Sequence, residues 1–343
     1  MLTTVLSGGL IGLIFGFILQ RTRFCLTGGF RDMYIARNNT LFYAFLIAIT
    51  VESIGVLSLV KLGIIGNPYE EFSVLGAIVG SYLFGIGIVL AGGCATGTWY
   101  RAGEGLLGSW VALFFYMTSA AAMKSGFLVP LNQLIAKRWV INDDLAGQLG
   151  VPVWYFLVFL VAITSFVVIR ELRKPRRQIA SLPSKYKGVR HYLFEKTYHK
   201  YFAGLLIGLV AFIAWPASQL TGRVGGLGIT TPSAHLISYI ITGDSKQVGW
   251  GVFLVLGIFL GSFLAAKGSR EFRWRLPDLS TIGKSTLGGI FMGIGASWAG
   301  GCTIGNGLTA TAIFSSKGWI ALPVTILGVW TASYIIFVKP NKN

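Results

Sequence analysis

One pattern occurs twice in this chain and constrains everything around it. Gly85, Gly87, Ala91, Gly92, Gly93, Cys94 and Gly97 have the same spacing as Gly293, Gly295, Ala299, Gly300, Gly301, Cys302 and Gly305. Each copy ends an apolar, glycine-rich stretch with Gly-Gly and then a thiol, and a new apolar stretch follows. A helix does not run through Gly-Gly cheaply, because glycine loses the most backbone freedom on ordering. Each copy is therefore expected to stop one helix and start a short second one near the cysteine. The apolar flanks put both breaks at membrane depth, where bare backbone is tolerated only under protein or beside a cavity. Broken helices in corresponding positions of two halves point to a binding site between them.

Composition agrees. The chain is 54% hydrophobic and only 12% charged, whereas about a quarter of a soluble domain's residues are charged. Apolar runs recur throughout, which makes this an all-α polytopic membrane protein. The net charge of +17 raises nucleic acid as a partner. The distribution argues against it, because Arg170, Arg173, Lys174, Arg176, Arg177, Lys185, Lys187, Arg190, Lys196 and Lys200 share one loop, and Arg270, Arg273 and Arg275 another. That is the pattern of cytoplasmic loops beside membrane lipid. Three cysteines without Cys-x-x-Cys, and the scattered His191, His199 and His235, give no support to a disulfide framework, a metal centre or a cofactor site. The apolar start lacks a basic leader and cleavage site, so it is expected to be a retained helix.

Taken in order, the chain predicts about nine transmembrane helices, at 5–19, 41–62, 72–90, 106–123, 151–169, 201–217, 248–266, 282–298 and 319–338. Arg21, Arg23, Arg31 and Arg37 place the end of the first span in the cytoplasm. The N-terminus is then outside and the C-terminus, with Lys342, inside. Arg101 and Glu104 mark the cytoplasmic end of the first break. Residues 24–30 are expected to re-enter the membrane, and the glycine-rich stretch 222–228 stands in the same place in the second half without a cysteine. Four spans, one extra, then four more give an inverted-topology repeat with re-entrant half-helices. Residues 1–169 form the first membrane half, 170–200 the basic linker, and 201–343 the second half. The first Gly-Gly-Cys is then reached from the cytoplasm and the second from outside.

A helix that starts after Gly-Gly presents free N–H groups and the positive end of its dipole, which attract an anion. Cys94 with Thr96 and Thr98, and Cys302 with Thr303, add thiols and hydroxyls to the backbone at Gly93 and Gly301. No Lys or Arg lies within either motif. Neutral donors hold an anion loosely enough to release it, and polarizable thiols suit a sulfur-bearing anion better than a hard one. Glu52, in mid-span, is expected to make a structural ion pair or hydrogen bond, since no second acid stands near it to relay protons. The glycines of 85–92 resemble a dinucleotide fingerprint but lack the preceding strand.

The paired Ala-Gly-Gly-Cys motifs, Cys25 in Arg-x-x-Phe-Cys form and the glycine-rich halves resemble the YeeE/YedE family of bacterial thiosulfate uptake proteins, over nearly the whole chain. The resemblance implies a cytoplasmic (inner) membrane transporter in which Cys25, Cys94 and Cys302 pass thiosulfate along by hydrogen bonds. It also implies a small TusA-like cytoplasmic sulfur-carrier partner. The competing readings are transport of another sulfur or selenium oxyanion, and a membrane thiol oxidoreductase or sulfurtransferase. The enzyme reading wants a cysteine pair able to form a disulfide, or a cofactor site.

Overall fold

A computed structural model describes residues 1–173, 188–196 and 198–339. The basic residues Lys174, Arg176, Arg177, Lys185, Lys187 and Lys342 lie outside them. The first half contains α1 (Leu2–Thr22), α2 (Leu26–Ile35), α3 (Thr40–Lys61), α4 (Val74–Leu90), α5 (Ala95–Gly103) and α6 (Leu107–Ser125). The short α7 (Val129–Ala136) and α8 (Leu145–Leu149) follow, then α9 (Val153–Leu172) and α10 (Val189–Phe194). The second half contains α11 (Lys200–Gln219), α12 (Thr230–Thr242), α13 (Trp250–Gly268), α14 (Leu279–Trp298), a π-helical turn Gly305–Ala310, and α15 (Ser316–Ser333).

Glycine decides which helices cross. A Cβ at Gly12 of α1 would overlap the Leu254 carbonyl of α13, and one at Gly261 of α13 would overlap that of Leu13. The same device joins α11 to α3, where Gly204 meets the Ala44 carbonyl. It also joins α4 to α15, through Gly85 and Gly328, and α6 to α14, through Gly289 and Gly293. Small residues let backbones touch, which is how membrane helices gain packing energy without a hydrophobic drive. α4 and α14, the two helices that end in Gly-Gly, also cross each other at the centre, at Gly80 and Gly295.

α9 differs. Only Leu157, Leu160 and Thr164 of it are buried, and it meets α3 through a 2.9 Å hydroxyl contact between Thr164 and Thr50. Its Val158, Phe159 and Phe166 face outward, as lipid-facing residues do. Glu52 is fully buried in α3, and its carboxylate accepts a 3.0 Å hydrogen bond from Trp215 Nε1 of α11. The expected structural partner is thus a hydrogen bond between two spans.

The chain is an all-α polytopic membrane protein with two differences from expectation. Among the described residues seven helical stretches are long and apolar enough to span, or eight if α6 and α7, bent by 73°, count as one. Nine were expected. The shortfall is α14, whose 20 residues include three Ser, two Thr and one Lys; it packs against α4 and α6 and so needs less apolar surface. The second difference is a two-stranded sheet in the loops, β1 (Glu71–Ser73) paired antiparallel with β2 (Val140–Asn142), Phe72 opposite Ile141.

Candidate functional site

At the first break α4 stops at Leu90, Gly92 takes a left-handed φ of 71°, and Cys94 caps the N-terminus of α5. The Cys94 Sγ accepts the Gly97 N–H at 3.4 Å, the role Ser or Asp usually fills at a helix start. Cys25 caps α2 in the same extended conformation, and its carbonyl accepts the Gly29 N–H at 3.0 Å. The Cys25 and Cys94 sulfurs lie beside each other at the start of α5. Both face Gly97, where a Cβ would stand 3.5 Å from one sulfur and 3.7 Å from the other. Neither thiol is in a disulfide.

At the second break Gly300 has a φ of 69° and Cys302 follows, its carbonyl accepting the Asn306 N–H at 2.8 Å. The bare carbonyls of the turn are satisfied from the next segment, because Asn306 Nδ2 donates to Ala299 O at 2.8 Å and to Gly301 O at 3.3 Å. The first break has its own version, in which the Arg101 guanidinium folds back from α5 and donates to the Gly92 carbonyl.

Cys302 lines a cavity of ≈ 530 Å³, together with Gly300, Gly301, Asn306 and Thr309. Trp215, Gly226 and Thr230 form its walls, and Arg223, Lys317, Glu70 and Asp143 bring charge to it. Beyond this cavity, space nearly closes. Cys302 and Thr303 share one small void with Phe84, while Cys94 and Thr96 share another with Phe24, Tyr100 and Ile304. The three cysteines and the Thr96 and Thr303 side chains are buried, whereas Gly92 and Gly300 are exposed.

The other end carries the arginines. Arg23 stands 3.6 Å from Glu104 and 3.0 Å from Glu271; Glu271 also accepts from Gln20 at 2.7 Å and lies 3.6 Å from Arg21. Burial raises the Glu104 carboxyl above its ordinary value, and Arg23 and Arg101 offset this only in part. Burial also pushes Glu271 upward, but the Gln20 hydrogen bond and the two guanidinium groups outweigh it and hold the carboxyl below the usual range.

The structure brings Cys25, Cys94, Gly93 and Thr96 together at one break, and Cys302, Gly301 and Thr303 at the other. The Thr96 and Thr303 hydroxyls are buried without a hydrogen-bond partner. Thr98, by contrast, donates to the Ala95 carbonyl at 2.7 Å, so its hydroxyl serves the helix. Sequence reasoning missed Arg101 and Asn306 as parts of the breaks. The repeat hides both, since Thr309 stands at the position matching Arg101 and Thr98 at that matching Asn306. It did contain one signal: a polar residue soon after Gly-Gly is needed to satisfy the turn's carbonyls.

A family model described as sulphur transport matches residues 21–331. The thiosulfate transporter TsuA of Escherichia coli (strain K12) is 53% identical over 343 residues, covering 100% of this chain and 97% of that protein. TsuA of Spirochaeta thermophila is 34% identical over 345 residues, covering 96% of this chain and 98% of its own. The probable transporter YedE of Escherichia coli is 43% identical over 101 residues, which are 29% of this chain and 25% of YedE. The likeness runs from before Cys25 to beyond Cys302, so both breaks lie within it, and the chain belongs to the sulphur transport family.

Proposed function

We propose that this chain carries thiosulfate inward across a bacterial cytoplasmic membrane, from the open cavity past Cys302 and Thr303 to Cys94, Thr96 and Cys25. It is a multi-pass membrane transporter rather than an enzyme. Two full-length relatives bear the name thiosulfate transporter. The observation that carries the reading is the pairing, at each break, of a buried thiol with a buried hydroxyl that has no partner. Buried polar groups are nearly always hydrogen-bonded, so a matching pair of orphans beside two thiol sites calls for an acceptor that comes and goes. Neutral S–H and O–H donors, with backbone at Gly93 and Gly301, hold an anion without trapping it.

An inverted repeat of 1–169 and 201–343, joined by 170–200, supports passage between two faces. The support is reciprocal packing: α1 lies on α13 as α11 lies on α3, and α14 on α6 as α15 on α4. In this reading the arginine-rich end is cytoplasmic and the cavity opens outside. The test is uptake of radiolabelled thiosulfate by liposomes holding only the purified protein. Time-dependent uptake above that of empty liposomes is expected, competed weakly by sulfate. Saturable uptake of a different sulfur or selenium oxyanion, with none of thiosulfate, would replace the substrate.

A further inference from the structure

We propose that Arg101 is the inner anion-receiving group of the path, held on the Gly92 carbonyl when no anion is present and transferred to the anion when one reaches the Cys25–Cys94 pair. The proposal rests on the transport reading above and adds to it a charged group outside the Gly-Gly-Cys motif.

Three observations meet here. The first is what surrounds the guanidinium. Its donors go to the Gly92 carbonyl and, at 3.4 Å, toward the Tyr100 hydroxyl, with the Tyr100 ring 5.9 Å from its centre. Among the described residues no carboxylate comes within 4.0 Å of it. The acids of this end are engaged elsewhere, Glu104 with Arg23 and Glu271 with Arg23 and Arg21. The cation beside the other break differs: Lys317, which lies against Gly300, has Asp143 at 3.9 Å. A partly buried guanidinium whose acid neighbour, Glu104, stands beyond ion-pair distance and is paired with Arg23 is short of close counter-charge.

The second observation is position. Arg101 lies against the turn that leads into Cys94: its guanidinium would stand 4.0 Å from a Cβ at Gly92 and 3.5 Å from one at Gly93. The third is independent of charge. The Thr96 hydroxyl is buried, has no partner, and shares its small void with Cys94 and Tyr100, the residue Arg101 faces. Two thiols, an idle hydroxyl and a guanidinium without a close carboxylate are therefore gathered around the same turn.

The chemistry follows. The planar fork of an arginine matches two oxygens of a tetrahedral oxyanion, and hydrogen bonds to charged groups are the stronger ones. A fixed cation alone would hold a dianion too tightly for passage. Here the Gly92 carbonyl competes for the same guanidinium. Its recapture of Arg101 frees the anion toward Arg23, whose side chain is 50% exposed at the mouth of this end. The same exchange loosens the first turn while the anion is bound, because Gly92 loses its donor.

The test compares wild type, Arg101→Gln and Arg101→Lys in thiosulfate-uptake liposomes, with thermal unfolding of each purified protein. Gln can still donate to the Gly92 carbonyl, so its unfolding temperature should match wild type while its KM for thiosulfate rises about tenfold or more. Lys keeps the charge without the fork and should fall between the two. On wild type alone, thiosulfate should slow phenylglyoxal modification of Arg101, read by mass spectrometry, and leave Arg273 unaffected. Arg101→Gln with a wild-type KM, or modification of Arg101 that thiosulfate does not slow, would overturn the proposal. Wild-type liposomes that take up no thiosulfate would instead overturn the transport reading beneath it.

Discussion

The two Gly-Gly-Cys breaks share a sequence and differ in how they are finished. The second is held by a neutral amide, Asn306, and puts a single thiol in the lining of a cavity of ≈ 530 Å³. The first is held by a guanidinium, Arg101, and its thiol lies beside a second one, Cys25, in space that nearly closes. Repetition thus supplies the turn and the thiol, and residues outside the motif decide what each turn does. In the proposed path the open break is where a ligand would enter from solution. The closed one is crowded by its own side chains, which the proposed path would have to displace.

The largest effect expected from this contrast is at Cys94. Cys94→Ala removes the acceptor of the Gly97 N–H and the thiol beside Cys25 together, and thiosulfate uptake should fall about tenfold or more while the protein still reaches the membrane. Cys302→Ala, beside open space, should cost less. Cys94→Ser restores the helix cap but offers a harder, shorter donor, and should recover little uptake. Equal losses at Cys94 and Cys302 in liposome assays would mean that the two breaks do not differ as described.

Next come the side chains that close the turns. Asn306→Leu strands the Ala299 and Gly301 carbonyls without a donor, and should cost about 1–3 kcal/mol of stability. Thermal unfolding in detergent measures it, and a drop in uptake should accompany it. An unchanged unfolding temperature would show that the second break does not depend on its amide.

Glu52 offers a smaller test away from both turns. Glu52→Gln keeps a carbonyl oxygen for Trp215 Nε1 and should leave uptake near wild type, whereas Glu52→Leu orphans the indole and should lower stability by about 1–3 kcal/mol. Loss of uptake in a stable Glu52→Gln protein would move Glu52 from scaffold to transport.

The contrast also marks where sequence reasoning stops. Both breaks were legible because the whole Ala-Gly-Gly-Cys string recurs at matched spacing, and Gly92 and Gly300 do adopt left-handed backbone, whereas Gly8-Gly9, Gly28-Gly29 and Gly288-Gly289 continue inside α1, α2 and α14. The crossings of α1 with α13 and of α3 with α11 were not legible. Gly12 and Gly204 find their partners only once distant segments are placed together. The Cys25–Cys94 contact is of this kind, since it depends on where α2 lies relative to α5. Arg101 looked like a loop charge marking the cytoplasmic side, because its spacing from Gly92 says nothing about which way a long side chain folds. β1 and β2 escaped because three residues in a loop carry no periodicity to read.

The smallest effect lies at the arginine-rich end, which bears on the first break alone. Glu271 joins Gln20, Arg21 and Arg23 of the α1 end to the loop after α13. Its carboxyl is held below the usual range despite partial burial, because the Gln20 hydrogen bond and the two guanidinium groups favour the charged form. A carboxyl lowered in this way adds stability above its unfolded value, about 4.3, and that stability is lost as pH falls through the folded value. Glu271→Gln should therefore unfold at a slightly lower temperature than wild type at neutral pH. The gap should hold down to about pH 5 and close below it. The Glu271 side chain is still 39% exposed, so salt should narrow the gap as well. Unfolding temperatures across a pH series, at low and high salt, measure both. A gap that persisted at pH 3 would mean that Glu271 acts through packing, and that charge does not tie this end of the bundle together.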